Sequence, residues 1–253
     1  PSERVHGGAA IIVLYTDFGR DGTYTGQMQA VLQRAAPGCA IIELFCDAPA
    51  CDPRAAAYLL AAYAPEFPAG TVLLCVVDPG VGGARQGLVV EADGRWYVGP
   101  DNGLFELVAR RAGRPPRWWS ITWQPQRLSN TFHGRDLFAP VAARLALGHA
   151  PPGAPLPADG ARRPAWPDDL AEVIYIDGFG NAMTGLRAAK VAAQARLAVA
   201  GRSLACARTF EDVPAGAAFW YENANGLVEI AVNRGRAADM LGLGVGTPIA
   251  CLA

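Results

Sequence analysis

Short apolar runs alternate with amphipathic stretches through the first half of the chain, and that alternation predicts strands and helices in turn. Ala10-Ile11-Ile12-Val13-Leu14-Tyr15 is apolar without a break, ends at Thr16-Asp17-Phe18-Gly19, and reads as a strand. A helical pattern from Thr23 to Ala36 is closed by Pro37-Gly38. Ala40 to Phe45 gives a second strand. Asp52-Pro53 then opens an alanine-rich helix, with Asp52 suited to the N-cap and Pro53 to the first helical position. Thr71 to Val76 predicts a third strand. Gly87 to Glu91 and Trp96 to Val98 predict a hairpin turning through Ala92-Asp93-Gly94-Arg95. Helices are expected over Gly103 to Ala112 and Asp136 to Leu147. This order predicts a layered α/β domain over residues 9–150.

From 148 to 168 the chain reads GHAPPGAPLPADGARRPAWPD, dense in Pro and Gly and without a period. That composition is expected of a linker, placed at 151–168. Beyond it come short strands, at Glu172 to Ile176, Arg196 to Val199, Ala218 to Tyr221, Leu227 to Val232 and Pro248 to Leu252. A small β-barrel or sandwich over 169–253 fits them better than a second α/β unit.

With 253 residues, 51% hydrophobic, the chain can bury a core for two domains. Its formal net charge of -1 offers no basic surface, so no nucleic-acid or membrane partner is expected. No apolar run reaches the roughly 20 residues of a bilayer crossing. The N-terminus, PSERVHGGAA, lacks the charged-then-apolar order of a secretory signal and has no initiator Met, which reads as a trimmed or engineered end. The six cysteines form no C-x-x-C pair, and most sit among apolar residues, as suits a reducing cytoplasm.

Four polar groups stand where chemistry could occur. Asp17 lies just past the first strand, where a carboxylate can bind ribose hydroxyls or simply cap the next helix. VDPGVGGAR, residues 77–85, puts Asp78 at the carboxyl end of the third strand and Arg85 after a glycine turn. Such a loop can hold an ion pair or cradle phosphate, although no Gly-Lys-Ser/Thr follows it and G-x-G-x-x-G is not matched. In Asn130-Thr131-Phe132-His133-Gly134-Arg135-Asp136, His133 is the one histidine beside a structured polar cluster, since His6 falls in the tail and His149 next to the linker. No second histidine stands at ligand spacing, so no metal site is expected. Asp177-Gly178-Phe179-Gly180-Asn181 and the loop Tyr221 to Gly226 adjoin strands, where plain hairpin turns would use the same residues.

TDFG at 16–19, VDPGVG with its arginine, GPDNG at 99–103, FHGRD at 132–136, DGFGN at 177–181 and NANGLVEIAVN at 223–233 follow one another in one order. In that order they resemble the S-adenosyl-L-methionine (SAM) hydroxide adenosyltransferases, also called SAM hydrolases, which are related to the fluorinases and chlorinases. The likeness spans about residue 10 to 253. It implies an N-terminal Rossmann-like α/β domain, a smaller C-terminal β-barrel, and a homotrimer holding SAM between the N-terminal domain of one subunit and the C-terminal domain of its neighbour. The implied activity is hydrolysis of SAM to adenosine and L-methionine, with SAM as substrate, no cofactor and no metal. Asp78, Arg85 and His133 match the triad that holds the attacking water or hydroxide in that family. Asp17 matches the acid that binds the ribose hydroxyls, Asp177 the acid that meets the methionine ammonium, and Phe179 and Asn181 the adenine-side contacts. Phe18, Asn102, Gly134, Asn223, Glu229 and Val232 complete the implied substrate-binding set.

Displacement at the ribose C5′ expels a neutral thioether from a sulfonium, so it needs no general acid. It needs an oxygen nucleophile in line with the C–S bond, in a site that excludes bulk water. Arg85 would favour hydroxide over water, while Asp78 and His133 would orient it and accept its proton. Halogenating relatives carry Ser in place of Gly134, a Tyr-Pro-Ala-Thr-type loop in place of Asp78-Pro79-Gly80-Val81, and a ribose-packing Trp in place of Ala50. A carboxylate at Asp78 would repel halide, which leaves SAM-dependent halogenation as the lesser alternative. Ala224 stands where relatives often have Ser. Two alternatives come from other classes. A non-catalytic SAM or adenosine sensor would have no need of Arg85 beside His133, and a metal-dependent phosphohydrolase built on Asp17 and Asp136 lacks the ligand pattern.

Overall fold

The computed structural model describes residues 10–158 and 163–252; the N-terminal tail with His6, and 159–162 of the expected linker, lie outside the described residues. The chain separates into two compact units, residues 1–53 with 64–162 and residues 54–63 with 163–253. Its helices are α1 (Tyr24–Ala35), α2 (Pro53–Tyr63), α3 (Glu106–Arg110), α4 (Ala139–Ala146) and α5 (Ala237–Leu241).

In the first unit β1 (Ile11–Thr16), β2 (Ala40–Phe45), β3 (Val72–Val76), β4 (Gly87–Ala92), β5 (Arg95–Pro100), β6 (Arg117–Ile121) and β7 (Gly153–Leu156) form one sheet in the order β2-β1-β3-β5-β4-β6-β7. β2, β1, β3 and β5 are parallel, and β4, β6 and β7 extend the sheet by antiparallel pairing. Ile12 and Leu14 of β1, with Val72 and Leu74 of β3, share a buried cluster with Met28 and Leu32 of α1 and Val141 and Leu145 of α4. The period-2 faces of the strands thus meet the apolar stripes of two helices.

Two features of this topology position the site. The chain leaves β1 on one side for β2 and returns on the other for β3, so the carboxyl ends of β1 and β3 flank the point where strand order reverses. Asp17 and Asp78 follow those two ends. β5, moreover, lies between β3 and β4, so the segment joining β3 to β4 has to cross the carboxyl end of β5.

Several expectations are refined. The hairpin turns through Asp93 and Gly94 with φ of 48° and 75°, the type I′ geometry that suits twisted strands. The helix expected from Asp136 begins instead as a π-helical turn over Gly134–Phe138, with α4 restarting at Ala139. Pro140 explains the break, because it has no N–H to continue a regular ladder and is tolerated in a first turn. Gly153–Leu156, inside the expected linker, is the edge strand β7; at an edge Pro155 need not supply a ladder donor.

The second unit includes α2, whose Tyr58 hydroxyl donates to the Pro167 carbonyl and whose Tyr63 hydroxyl meets Met183 Sδ at 3.5 Å. Its strands are β8 (Leu170–Ile176), β9 (Ala182–Arg187), β10 (Arg196–Val199), β11 (Arg202–Leu204), β12 (Ala218–Glu222), β13 (Leu227–Val232) and β14 (Ala250–Leu252). They form two antiparallel sheets, β12-β13-β9-β8 and β11-β10-β14. Bridges at Glu172–Pro248 and Cys206–Trp220 join the sheet edges into a ring around Val173, Leu197, Trp220 and Ile230. Ring closure makes this a small barrel rather than an open sandwich.

The approach of β5 to β3 is testable. A Cβ on Gly99 would stand 2.1 Å from the Cys75 carbonyl oxygen, against backbone that cannot swing aside. Gly99→Ala should therefore cost about 2 kcal/mol or more and lower Tm by roughly 4–8 °C in a thermal melt. A wild-type melting curve would contradict this packing.

Candidate active site

The turn after β3 folds back on itself because of its glycines. Val81 N–H donates to the Asp78 carbonyl at 3.2 Å and Gly83 N–H to that of Gly80 at 3.1 Å. Gly82 has φ of 78°, and a Cβ there would lie 2.3 Å from the Asn130 carbonyl oxygen, so only glycine fits. These turns return Arg85 to Asp78. Arg85 Nε donates to Asp78 Oδ1 at 2.8 Å and Nη2 donates to Oδ2, a bidentate pair whose side chains are only 11% and 4% exposed.

Arg85 Nη2 also lies 3.0 Å from His133 Nδ1. A guanidinium can only donate, so Nδ1 accepts and the imidazole carries its proton on Nε2. Burial, and then the positive Arg85, hold the His133 pKa below its ordinary value against the opposing pull of Asp78 and Asp136. The ring is neutral at neutral pH. Phe138, on the π-helical turn, closes the far side of the cluster, with its ring centroid 5.3 Å from Arg85 Cζ.

Asp17 Oδ2 accepts the Cys51 N–H at 2.9 Å. Burial raises its carboxyl above the usual range; the Cys51 amide opposes the rise and Asp78 adds to it. Asp17, Asp78 and His133 line one pocket of about 190 Å³ together with Phe18, Cys51, Val76, Thr131, Phe132 and Gly134. A Cβ on Gly134 would sit 3.1 Å from Met28 Sδ and 3.5 Å from Phe18, so a larger residue there would press on the pocket wall. Asp136, the second acid of the phosphohydrolase alternative, is engaged elsewhere. It pairs with Arg135, which lowers its pKa, and accepts the Ser129 N–H at 2.8 Å. Asn102 does not line the pocket either, and both ends of its amide are taken by backbone, Nδ2 donating to the Val77 carbonyl at 2.8 Å and Oδ1 accepting the Leu104 N–H at 3.2 Å.

The remaining implied residues gather in the second unit. Asp177 Oδ1 accepts the Phe179 and Asn181 amides at 2.9 and 2.8 Å, and Oδ2 accepts Asn181 Nδ2 at 3.1 Å. Glu229 on β13 is 2% exposed, and accepts the Tyr221 hydroxyl at 2.5 Å and Asn223 Nδ2 at 2.8 Å. Burial pushes its carboxyl up; these two hydrogen bonds oppose that, and the Asp177 charge adds to it. The same burial, with Glu229 beside it, pushes the Tyr221 hydroxyl up. Asn223 Oδ1 ties its own turn through the Asn225 and Leu227 amides. Asp177, Phe179, Asn181, Glu229 and Val232 line a pocket of about 660 Å³ with Phe210, Tyr221, Arg234 and Arg236. Of these, Tyr221 opens a loop the sequence singles out, whereas Phe210, Arg234 and Arg236 escape the motifs, although the Asn-Arg-Gly-Arg after β13 places two cations close to Glu229 in sequence. Among the described residues no group of three His, Cys, Asp or Glu is arranged to hold a metal, and no helix is long and apolar enough to cross a membrane.

Fold and site together define a two-unit protein, an α/β sheet carrying an acid–arginine–histidine cluster at its switch point and a closed β-barrel. Residues 12–154 match the model of the SAM hydroxide adenosyltransferase N-terminal domain, and residues 171–250 that of the corresponding C-terminal domain. The chain belongs to this family. It is 44% identical, over 95% of its length and 99% of the relative's, to an (R)-S-adenosyl-L-methionine hydrolase of Thermus thermophilus. A Salinispora arenicola protein of the same name is 41% identical over 89% of this chain and 91% of its own. Among solved structures, an uncharacterized conserved protein from Thermotoga maritima superposes with a TM-score of 0.82 at 32% identity, covering 96% of this chain and 100% of that one. A conserved hypothetical protein from Thermus thermophilus gives 0.77 at 39%, with the same coverage.

The electrostatics predict a titration. Arg85→Met removes the cation that depresses His133 and leaves Asp78 and Asp136 pulling the other way. The His133 pKa, followed by NMR of the ring protons, should then rise above its wild-type value. A fall or no change would show that Arg85 does not control the imidazole.

Proposed function

We propose that this protein hydrolyses SAM to adenosine and L-methionine by attack of an activated water or hydroxide at the ribose C5′, with no metal and no cofactor. The observation that carries this reading is the contact of Arg85 with both Asp78 and His133, two residues that line one pocket with Asp17 while Arg85 stands behind them. Relatives named as hydrolases of (R)-SAM support the substrate and point to the (R) configuration at sulfur.

In this reading Asp17 takes the ribose hydroxyls, and Phe18 and Phe132 supply an apolar wall. The attacking oxygen receives a hydrogen bond from His133 Nε2–H and the positive field of Arg85. Because Arg85 occupies His133 Nδ1, Asp78 is the group with lone pairs free to take the water proton. The oxygen bonds to C5′, the C–S bonding pair goes to sulfur, and methionine leaves as a neutral thioether. Anion meets sulfonium, so charge is lost on the way to the transition state and a dry wall favours it.

Asp177 would meet the methionine ammonium, Phe179 and Asn181 the adenine side, and Asn223, Glu229 and Val232 would complete that binding set. Phe179 is 80% exposed, as suits an aromatic face that gains its partner on binding or assembly. We place the protein in the cytoplasm as a homotrimer, with SAM between the N-terminal unit of one subunit and the C-terminal unit of its neighbour. Halogenation is the weaker reading, since Asp78 opposes a halide and Gly134 offers no hydroxyl.

Incubation with each SAM epimer, with and without chelator and halide, decides the matter by chromatography. Adenosine and methionine should form from the (R) epimer whether or not chelator is present, with no 5′-halo product. SAM that is bound but left intact would instead mark a sensor. Asp78→Ala, Arg85→Ala and His133→Ala should each lower kcat by roughly 10²-fold or more and change SAM affinity, measured by calorimetry, far less; equal losses in both would make them scaffold. Protonated His133 cannot accept from Arg85, so the rate should fall on acidification, with a limb below about 6.5 because its pKa is lowered.

A further inference from the structure

The Asp78–Arg85 loop straddles β5, and the turn that follows β5 is in contact with both of its stems. Asn102 Nδ2 donates to the carbonyl of Val77, the residue just before Asp78, at 2.8 Å. Asp101 N–H donates to the carbonyl of Gln86, the residue just after Arg85, at 2.9 Å. This turn is itself held firmly. Asn102 Oδ1 accepts the Leu104 N–H, Leu104 and Phe105 are 0% and 1% exposed, and the Gly103 carbonyl accepts the Glu106 N–H that starts α3. A buried anchor therefore grips the loop at both ends, and the reactive pair sits between the grips.

We propose that Asn102 is a positioning residue, which with the Asp101 amide clamps the two stems of the 78–85 loop and so sets the placement of Asp78 and Arg85 against His133. This rests on the hydrolysis proposed above. It assigns Asn102 a role through the loop rather than a contact with substrate. Misplacing a reacting group by about 1 Å can cost on the order of 10²-fold in rate, so loosening one stem should show in turnover more than in binding.

Asn102→Asp is the discriminating variant. It keeps the acceptor for Leu104 N–H, and so the turn, but replaces the donor to Val77 with a repelling oxygen. Asn102→Ala removes both contacts. The expected result is a kcat at least roughly tenfold lower with KM within about twofold of wild type. The second expected result is a rise in the His133 pKa by NMR as Arg85 draws back, assigned against His133→Gln. An unchanged kcat would overturn the proposal, as would a raised KM at unchanged kcat, which would make Asn102 a substrate contact. Unfolding of both variants would also overturn it, because Asn102 would then hold the fold rather than tune the loop. If the wild-type protein releases no adenosine, the hydrolysis reading fails instead. The His133 titration still decides whether Asn102 positions the loop.

Discussion

A buried guanidinium between a carboxylate and an imidazole fixes most of what this site can do. Each ion of such a pair loses several kcal/mol of hydration on burial, and the pair survives only if its geometry returns that energy. The bidentate contact with Asp78 does so, and it dictates the loop around it: glycines that let the chain double back, Gly82 against the Asn130 carbonyl, Phe138 over the guanidinium. It also dictates the state of His133. With Arg85 donating to Nδ1, the ring is a neutral Nε2–H donor, which under the proposed reaction leaves Asp78 to accept a proton from water. In that proposal one arginine sorts the three groups into donor, acceptor and field.

The parts of the fold that could be read from the sequence are those where burial alone sets the pattern. β1 and β3 are apolar runs buried almost throughout, and Asp93-Gly94 announces its own turn. Pro155 disguises β7, since only an edge position excuses it, and the helix expected from Asp136 gives way to a π-helical turn ahead of Pro140. The partner of α2 was equally hidden. Every residue from Ala55 to Leu60 is buried, and a helix apolar on all sides carries no sign of which unit it will join.

Motif order pointed to the site residues without disclosing how they touch. Arg85 and His133 are 48 positions apart, and nothing between them shows that their side chains meet. Asn102 makes the same point more sharply. GPDNG marks it as special, and side-chain amides in such motifs suit a ligand as well as a backbone. Only the crossing of the 78–85 loop over β5 shows why a backbone clamp belongs there. Functional weight can be read from a motif, but its physical cause lies in topology.

The acids of the two pockets are not equally satisfied by the protein itself. In the first, Asp78 is neutralised by the Arg85 guanidinium, whereas Asp17 receives only neutral backbone N–H donation. In the second, Glu229 is buried, receives only neutral donors, Tyr221 and Asn223, and is raised further by Asp177. An incompletely compensated carboxylate gains most from a cation brought by the ligand. A sulfonium that also carries an ammonium offers two. Under the proposed reaction the buried Glu229 would gain from charge the substrate supplies, while the Asp78–Arg85 pair keeps its charges matched and spends their geometry on the attacking oxygen.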